Sequence, residues 1–253
     1  MTRLNMKACS THLATYLTVF GVALLLAGGA WAEEQRQSDI GKRLDAAATV
    51  LNEIMATPEK TIPKPVLAET KCIVVVPGIV NVAFAIGGRR GKGVASCRTD
   101  KGWSAPAPLS FRGGSLGLQI GGQSVDLVML TMNRSALDRL LSGKLQMGTN
   151  ASGKPGPVGA ETSKETDWKN SEVLGYSRSH GAFAGINLKG AVFKQDKNST
   201  IGLYGKYIPF ASILSGKVRV PPESHSFLAT IRKYTVERTQ ANGDKAMKSI
   251  QVP

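Results

Sequence analysis

The chain has 253 residues, and its 32 lysines and arginines outweigh 18 acids to leave a formal charge of +14. That length suits one domain with a real core. A charge of this size draws anions, so nucleic acid, anionic lipid headgroups and acidic polysaccharides are the partner classes it admits.

The first 32 residues read as a secretory leader. Arg3 and Lys7 make a positive start, residues 13–27 are uncharged and mostly apolar, and Ala30-Trp31-Ala32 is a small-x-small cleavage site. The apolar run is short for a membrane span. Gly29 stands where a lipoprotein would carry its acylated cysteine, so a soluble periplasmic or secreted product starting near Glu33 is expected. Loss of Arg3 and Lys7 leaves 30 − 18 = +12. Export disfavours nucleic acid as a partner and favours envelope lipid.

A helix is expected from Ser38 or Asp39 to about Ala56, with Ile40, Leu44, Ala47, Ala48, Leu51, Ile54 and Met55 on one face. That face fits a membrane surface or the domain's own core. Thr57-Pro58 stops it, and Pro63 and Pro65 keep the chain extended before a short helix over residues 66–70. Cys72 to Val76 reads as a buried strand ended by Pro77. Strands are then expected at 93–98, 104–111, 115–121 and 125–132, with turns at 99–102, Gly113-Gly114 and Gly121-Gly122.

Asn133 or Ser135 should open a helix through Leu141. A loop rich in Gly, Pro and Ser covers 151–157, and strands follow at 171–178 and 182–193. Residues 201–214 read as one helix and 227–234 as another, and the last dozen as disordered. The fold class is therefore α+β: a curved antiparallel sheet or small β-barrel flanked by helices.

Two stretches combine glycines with cations, 87–98 and 175–185. Arg89, Arg90 and Lys92 fall in a presumed glycine loop whose backbone and side chains could converge on one phosphate; a solvated hairpin turn is the alternative. Arg98 and Arg178 join them as anion-binding candidates, although Arg178 also suits a pairing with Asp167 or Glu172. Cys72 and Cys97, an even pair in an oxidising compartment, suggest a disulfide; two buried free thiols are the alternative.

The chain offers little for catalysis. Gly113-Gly114-Ser115-Leu116-Gly117 fits the serine-hydrolase elbow formally, but Leu116, Leu118 and Ile120 alternate like a strand where a helix is required. Residues 87–93 lack the first glycine and the final Ser or Thr of a P-loop. Beyond the leader only His180 and His225 remain, a poor set for a metal. No catalytic residue, metal or cofactor is expected. Trp103 and Trp168 fit core covers better than a membrane belt.

The order of motifs resembles the SYLF domain family. It is carried by Pro58-Glu59-Lys60, Ile62-Pro63, 72–77, 87–98, Gly102-Trp103-Ser104-Ala105-Pro106, Gly113-Gly114-Ser115, Gln119-Ile120-Gly121, Met132-Asn133, Tyr176-Ser177-Arg178 and 181–185. The resemblance implies a lipid-binding module, since eukaryotic SYLF proteins bind phosphoinositide membranes and some bind actin. The expectation is a non-enzymatic protein that contacts anionic phospholipid, with a periplasmic structural or interaction protein as the alternative. Actin binding is not expected from an exported chain, and the identity of any protein partner is open. The layout is leader 1–32, SYLF-like domain 33–216, and a partly helical extension 217–253.

Overall fold

The computed structural model describes residues 39–57, 61–84, 86–115, 124–142, 145, 153–155, 171–179, 182–183 and 190–235. The leader, Asp167, Trp168, His180, the predicted 151–157 loop apart from 153–155, and the tail beyond 235 lie outside them. Helix α1 occupies 39–55 and α2 Lys64–Glu69. Strands β1 (Cys72–Phe84), β2 (Ile86–Thr99), β3 (Gly102–Trp103), β4 (Ala107–Ser115) and β5 (Ser124–Thr131) precede α3 (Arg134–Leu141). Then come β6 (Gly153–Pro155), β7 (Val173–Ser179), β8 (Ala182–Phe183), β9 (Val192–Gln195), α4 (Lys197–Tyr204), α5 (Phe210–Leu214) and α6 (His225–Thr235).

The main path of the sheet runs β6-β7-β5-β1-β2-β4-β9, with β3 beside β2 and β8 beside β7. Among the described residues its two ends do not pair, so the sheet is open and the barrel alternative is not adopted. Its pairings are antiparallel apart from β6 with β7. The class is α+β.

Around residues 72–76 both faces of the sheet are buried, which explains the unbroken apolar run in β1. Ile73 and Val75 pack with α1, α2 and α6 through Leu44, Leu51, Leu67, Phe227 and Ile231. Cys72, Val74 and Val76 face the other way, with Phe111, Phe193, Leu140 from α3 and Ile213 from α5. Side chains alternate along a strand, so two-sided burial demands apolar residues at every position. Thus α1 docks on the domain's own core.

β1 does not stop at Pro77. From Val75 to Val80 it advances five residues while β2 advances four, from Val94 to Arg90. The extra residue is a β-bulge, with Gly78 at φ 59°. It returns Ile79 to the face that already holds Val76. Asp126 Oδ1 accepts the Gly78 N–H at 2.9 Å and fixes the bend.

Other boundaries move for local reasons. α2 begins at Lys64 because a proline near the first turn costs no hydrogen bond, and Pro65 sits there. The single helix expected over 201–214 divides into α4 and α5, since Gly205 caps α4 in the left-handed region and Pro209 precedes α5. The Gly113-Gly114 turn is instead part of β4, paired with Arg89 and Gly88. Asn133 caps α3 as expected, its side chain accepting the Ala136 N–H at 2.9 Å.

Candidate functional site

The presumed glycine loop is a strand. Residues 87–95 of β2 pair with β4, and most of them also pair with β1, which corrects the loop reading. The bulge accounts for Gly91 and Gly93. A Cβ at Gly91 would stand 2.7 Å from Val76 Cγ1, and one at Gly93 would stand 2.3 Å from Val75 O. These positions lack side chains so that β1 can fold over β2.

The five nominated cations separate accordingly. Arg98 donates from Nε to Thr70 O and from Nη2 to Leu67 O, both at 3.1 Å, which satisfies carbonyls at the end of α2. Its guanidinium also lies 4.9 Å from the centre of the Trp103 ring. Trp103 is a core cover, buried and donating Nε1–H to Thr235 Oγ1 at 3.0 Å. Arg178 bridges Glu53 and Asp126, the latter at 3.1 Å. Burial opposes its charge, but hydrogen bonds and the field of the two carboxylates outweigh this and raise its pKa. The Glu172 considered as its partner pairs with Arg139 at 2.5 Å instead.

Arg89 is half-buried on the opposite face from its neighbour, because consecutive strand residues alternate. Only Arg90 and Lys92 share a surface. That surface holds two further cations. Arg112 is the register partner of Arg90, and Ser110 pairs with Lys92 on one side and Lys194 on the other. Directly opposite residues have Cβ atoms about 5 Å apart, and strands lie about 4.8 Å apart. Arg90, Lys92, Arg112 and Lys194 thus form a compact patch across β2, β4 and β9, all four exposed.

Few acids answer them. Among the described residues no carboxylate lies within ion-pair distance of Arg90, Arg112 or Lys194. Lys92 Nζ stands 3.9 Å from Asp196 Oδ2, and its side chain is still 66% exposed. Asp196 is committed elsewhere: it caps α4 by accepting the Ser199 N–H at 3.1 Å and the Ser199 hydroxyl at 2.7 Å. Arg43 of α1 reaches the same carboxylate at 3.3 Å and donates to Ser199 Oγ at 3.0 Å. Burial of Asp196 opposes its charge, but these hydrogen bonds and the two cations win and lower its pKa. For Arg43 burial wins and lowers the pKa. A guanidinium remains charged at neutral pH, so the pair is ionic.

Ser115 ends β4, and the residues after it lie outside the described ones. Among the described residues no three His, Cys, Asp or Glu gather as a metal site. No described helix is long and apolar enough to cross a membrane. The thiols are joined, as Cys72 and Cys97 are register partners on β1 and β2 and form a buried disulfide.

Comparison with known proteins adds the family. A family profile described as Ysc84, a Las17-binding protein actin regulator, matches residues 112–234. Protein YSC84 of Saccharomyces cerevisiae is 29% identical over 191 residues, covering 74% of this chain and 41% of that protein. The chain belongs to the SYLF family.

LAS seventeen-binding protein 3 of the same yeast is 28% identical over 192 residues, covering 74% of this chain and 42% of its own length. A third SYLF relative is SH3 domain-containing YSC84-like protein 1 of Rattus norvegicus, 28% identical over 216 residues, 82% of this chain and 63% of that one. This chain therefore spans less than half the length of the yeast relatives. No solved structure matches it significantly. These names are those of binding or regulatory proteins. They overturn the expectation that an actin connection is foreign to this chain, because its family profile is itself that of an actin regulator.

Proposed function

We propose that this SYLF domain is a binding module whose exposed cations on β2, β4 and β9 hold the phosphates of an anionic phospholipid surface. The observation that carries the reading is the directly opposed pair Arg90 and Arg112, exposed and without a carboxylate partner among the described residues. Like charges at such positions repel, so the arrangement costs stability. A phosphate between two guanidiniums would turn that repulsion into attraction. The leader-like residues 1–32 support export, and with it a periplasmic or secreted role beside envelope lipid.

Co-sedimentation with phosphatidylglycerol vesicles and with neutral phosphatidylcholine vesicles tests the reading. Binding to the first alone, weakened by salt and abolished by Arg90→Glu with Arg112→Glu, is the expected result. Unchanged binding by that double variant would remove the patch from the account.

The family profile favours a second reading, in which the partner is a protein of an actin-regulating assembly. An acidic protein surface would answer the same four cations. Absence of vesicle binding, with charge-dependent retention on an acidic protein partner, would favour it.

A further inference from the structure

We infer that the basic patch is fitted to a lipid whose two phosphodiesters are joined through one glycerol, cardiolipin, with each phosphate held by its own pair of cations. The inference rests on the lipid reading above and deepens it. The four cations fall into two rows. Arg90 and Arg112 oppose each other directly across β2 and β4. One row on, Lys92 and Lys194 flank Ser110, which is the register partner of both. Residues two apart on a strand share a face, so the two rows look the same way. The exposed Ser110 hydroxyl donates to Lys194 O at 3.4 Å, a long bond that a phosphate oxygen can displace.

The separation of the rows suits two linked phosphates. With strands about 4.8 Å apart and residues about 3.3 Å apart along a strand, the midpoint of the arginine pair lies about 7 Å from the midpoint of the lysine pair. One phosphate between the arginines leaves the lysine row unanswered. Two phosphorus atoms bridged through a three-carbon glycerol are six bonds apart, and an extended chain covers about 3.8 Å per three bonds, so the bridge spans at most about 7.6 Å. It matches the separation. A linkage through a single oxygen, two bonds long, falls well short.

Two neighbours of the patch agree with a lipid. Val80 continues the arginine row on the β1 side, opposite Arg90 and 50% exposed. An apolar side chain there adds nothing to the grip on a soluble polyanion, but it can cover the glycerol and first acyl carbons of a lipid. Asp196, 3.9 Å from Lys92 Nζ, already holds Arg43 at 3.3 Å, so it does not cancel the lysine row.

Vesicles of cardiolipin and of phosphatidylglycerol, each diluted in phosphatidylcholine to the same phosphate charge, read the inference in a co-sedimentation assay. Linked phosphates meet the second cation pair at high effective concentration, so the full chain is expected to bind the cardiolipin surface at least about tenfold more tightly. Lys92→Gln with Lys194→Gln should make the two surfaces equal while the arginines still bind both. Lys101→Gln with Lys217→Gln removes the same charge from two other exposed positions and should keep the preference. Equal binding of the unaltered chain to both surfaces, or a preference that survives loss of Lys92 and Lys194, would overturn the inference and leave the lipid reading standing. Absence of binding to either vesicle would remove both.

Discussion

Arg90 and Arg112 stand directly opposite each other on adjacent antiparallel strands, both exposed, with Lys92 and Lys194 one row away. Folding alone gives no reason for this arrangement, since opposed like charges are unfavourable. Arg112→Gln should therefore leave the fold intact or stabilise it by up to about 0.5 kcal/mol, a small gain because both side chains face water. The same change should weaken binding to phosphatidylglycerol vesicles. Thermal unfolding and vesicle co-sedimentation on one preparation would show the two effects moving in opposite directions. A destabilised Arg112→Gln protein would mean that Arg112 has a structural partner.

Gly93 and Gly88 occupy the same strand under opposite constraints. A Cβ at Gly93 would penetrate Val75 O and the Val76 side chain, whereas one at Gly88 meets open space. Gly93→Ala should cost about 2–4 kcal/mol, because the bulged backbone of β1 cannot retreat without breaking its pairing with β5. Gly88→Ala should lie within about 1 kcal/mol of the wild type, on the stabilising side, because it reduces the freedom of the unfolded chain. Urea unfolding midpoints of the two variants would separate these accounts.

These glycines mark where a single sequence misleads. Glycine beside cations ordinarily signals a turn, so 87–92 read as a loop ahead of the strand expected at 93–98. The actual cause at Gly91 and Gly93, a bulge in a neighbouring strand, depends on which strands pair and in what register. For the same reason Arg112 and Lys194 could not be joined to Arg90 and Lys92 before the β2-β4-β9 order was known. Features set by local chemistry were legible: the apolar face of α1, the Asn133 cap and the run in β1 that two-sided burial requires. Arg98 was identified as a cation but not as the group that closes α2, because its carbonyl partners lie about thirty residues earlier. Arg178 shows the same limit, since neither Glu53 nor Asp126 is near it in the chain.

Cys72 and Cys97 are fully buried on two central strands, so their bond should resist reagents in the native state. In the full chain with its leader, alkylation in denaturant without reductant should modify Cys9 alone, and reductant should bring the total to three; a product starting near Glu33 should give none and then two. Intact mass measures both. Replacing the pair with alanines should cost about 3 kcal/mol from the released loop, and more if the core does not close around the lost sulfurs. Full alkylation without reductant would show that the bond does not form in the protein as produced.

Asp196 links α4, α1 and the basic face through Ser199, Arg43 and Lys92, and its lowered pKa gives that link a pH signature. A carboxylate whose folded pKa lies below its unfolded value releases its proton more readily when folded. It contributes stability above the unfolded value, 3.8, and that contribution falls away as pH drops through the folded one. The wild type should therefore lose stability between about pH 5 and the folded pKa more steeply than Asp196→Asn does. The variant should also be less stable at neutral pH, since the poorly exposed Arg43 then lacks its counter-ion. Urea midpoints measured from pH 7 to pH 3 would show two curves that converge as the pH falls. Parallel curves would mean that Asp196 contributes only its uncharged capping geometry at α4.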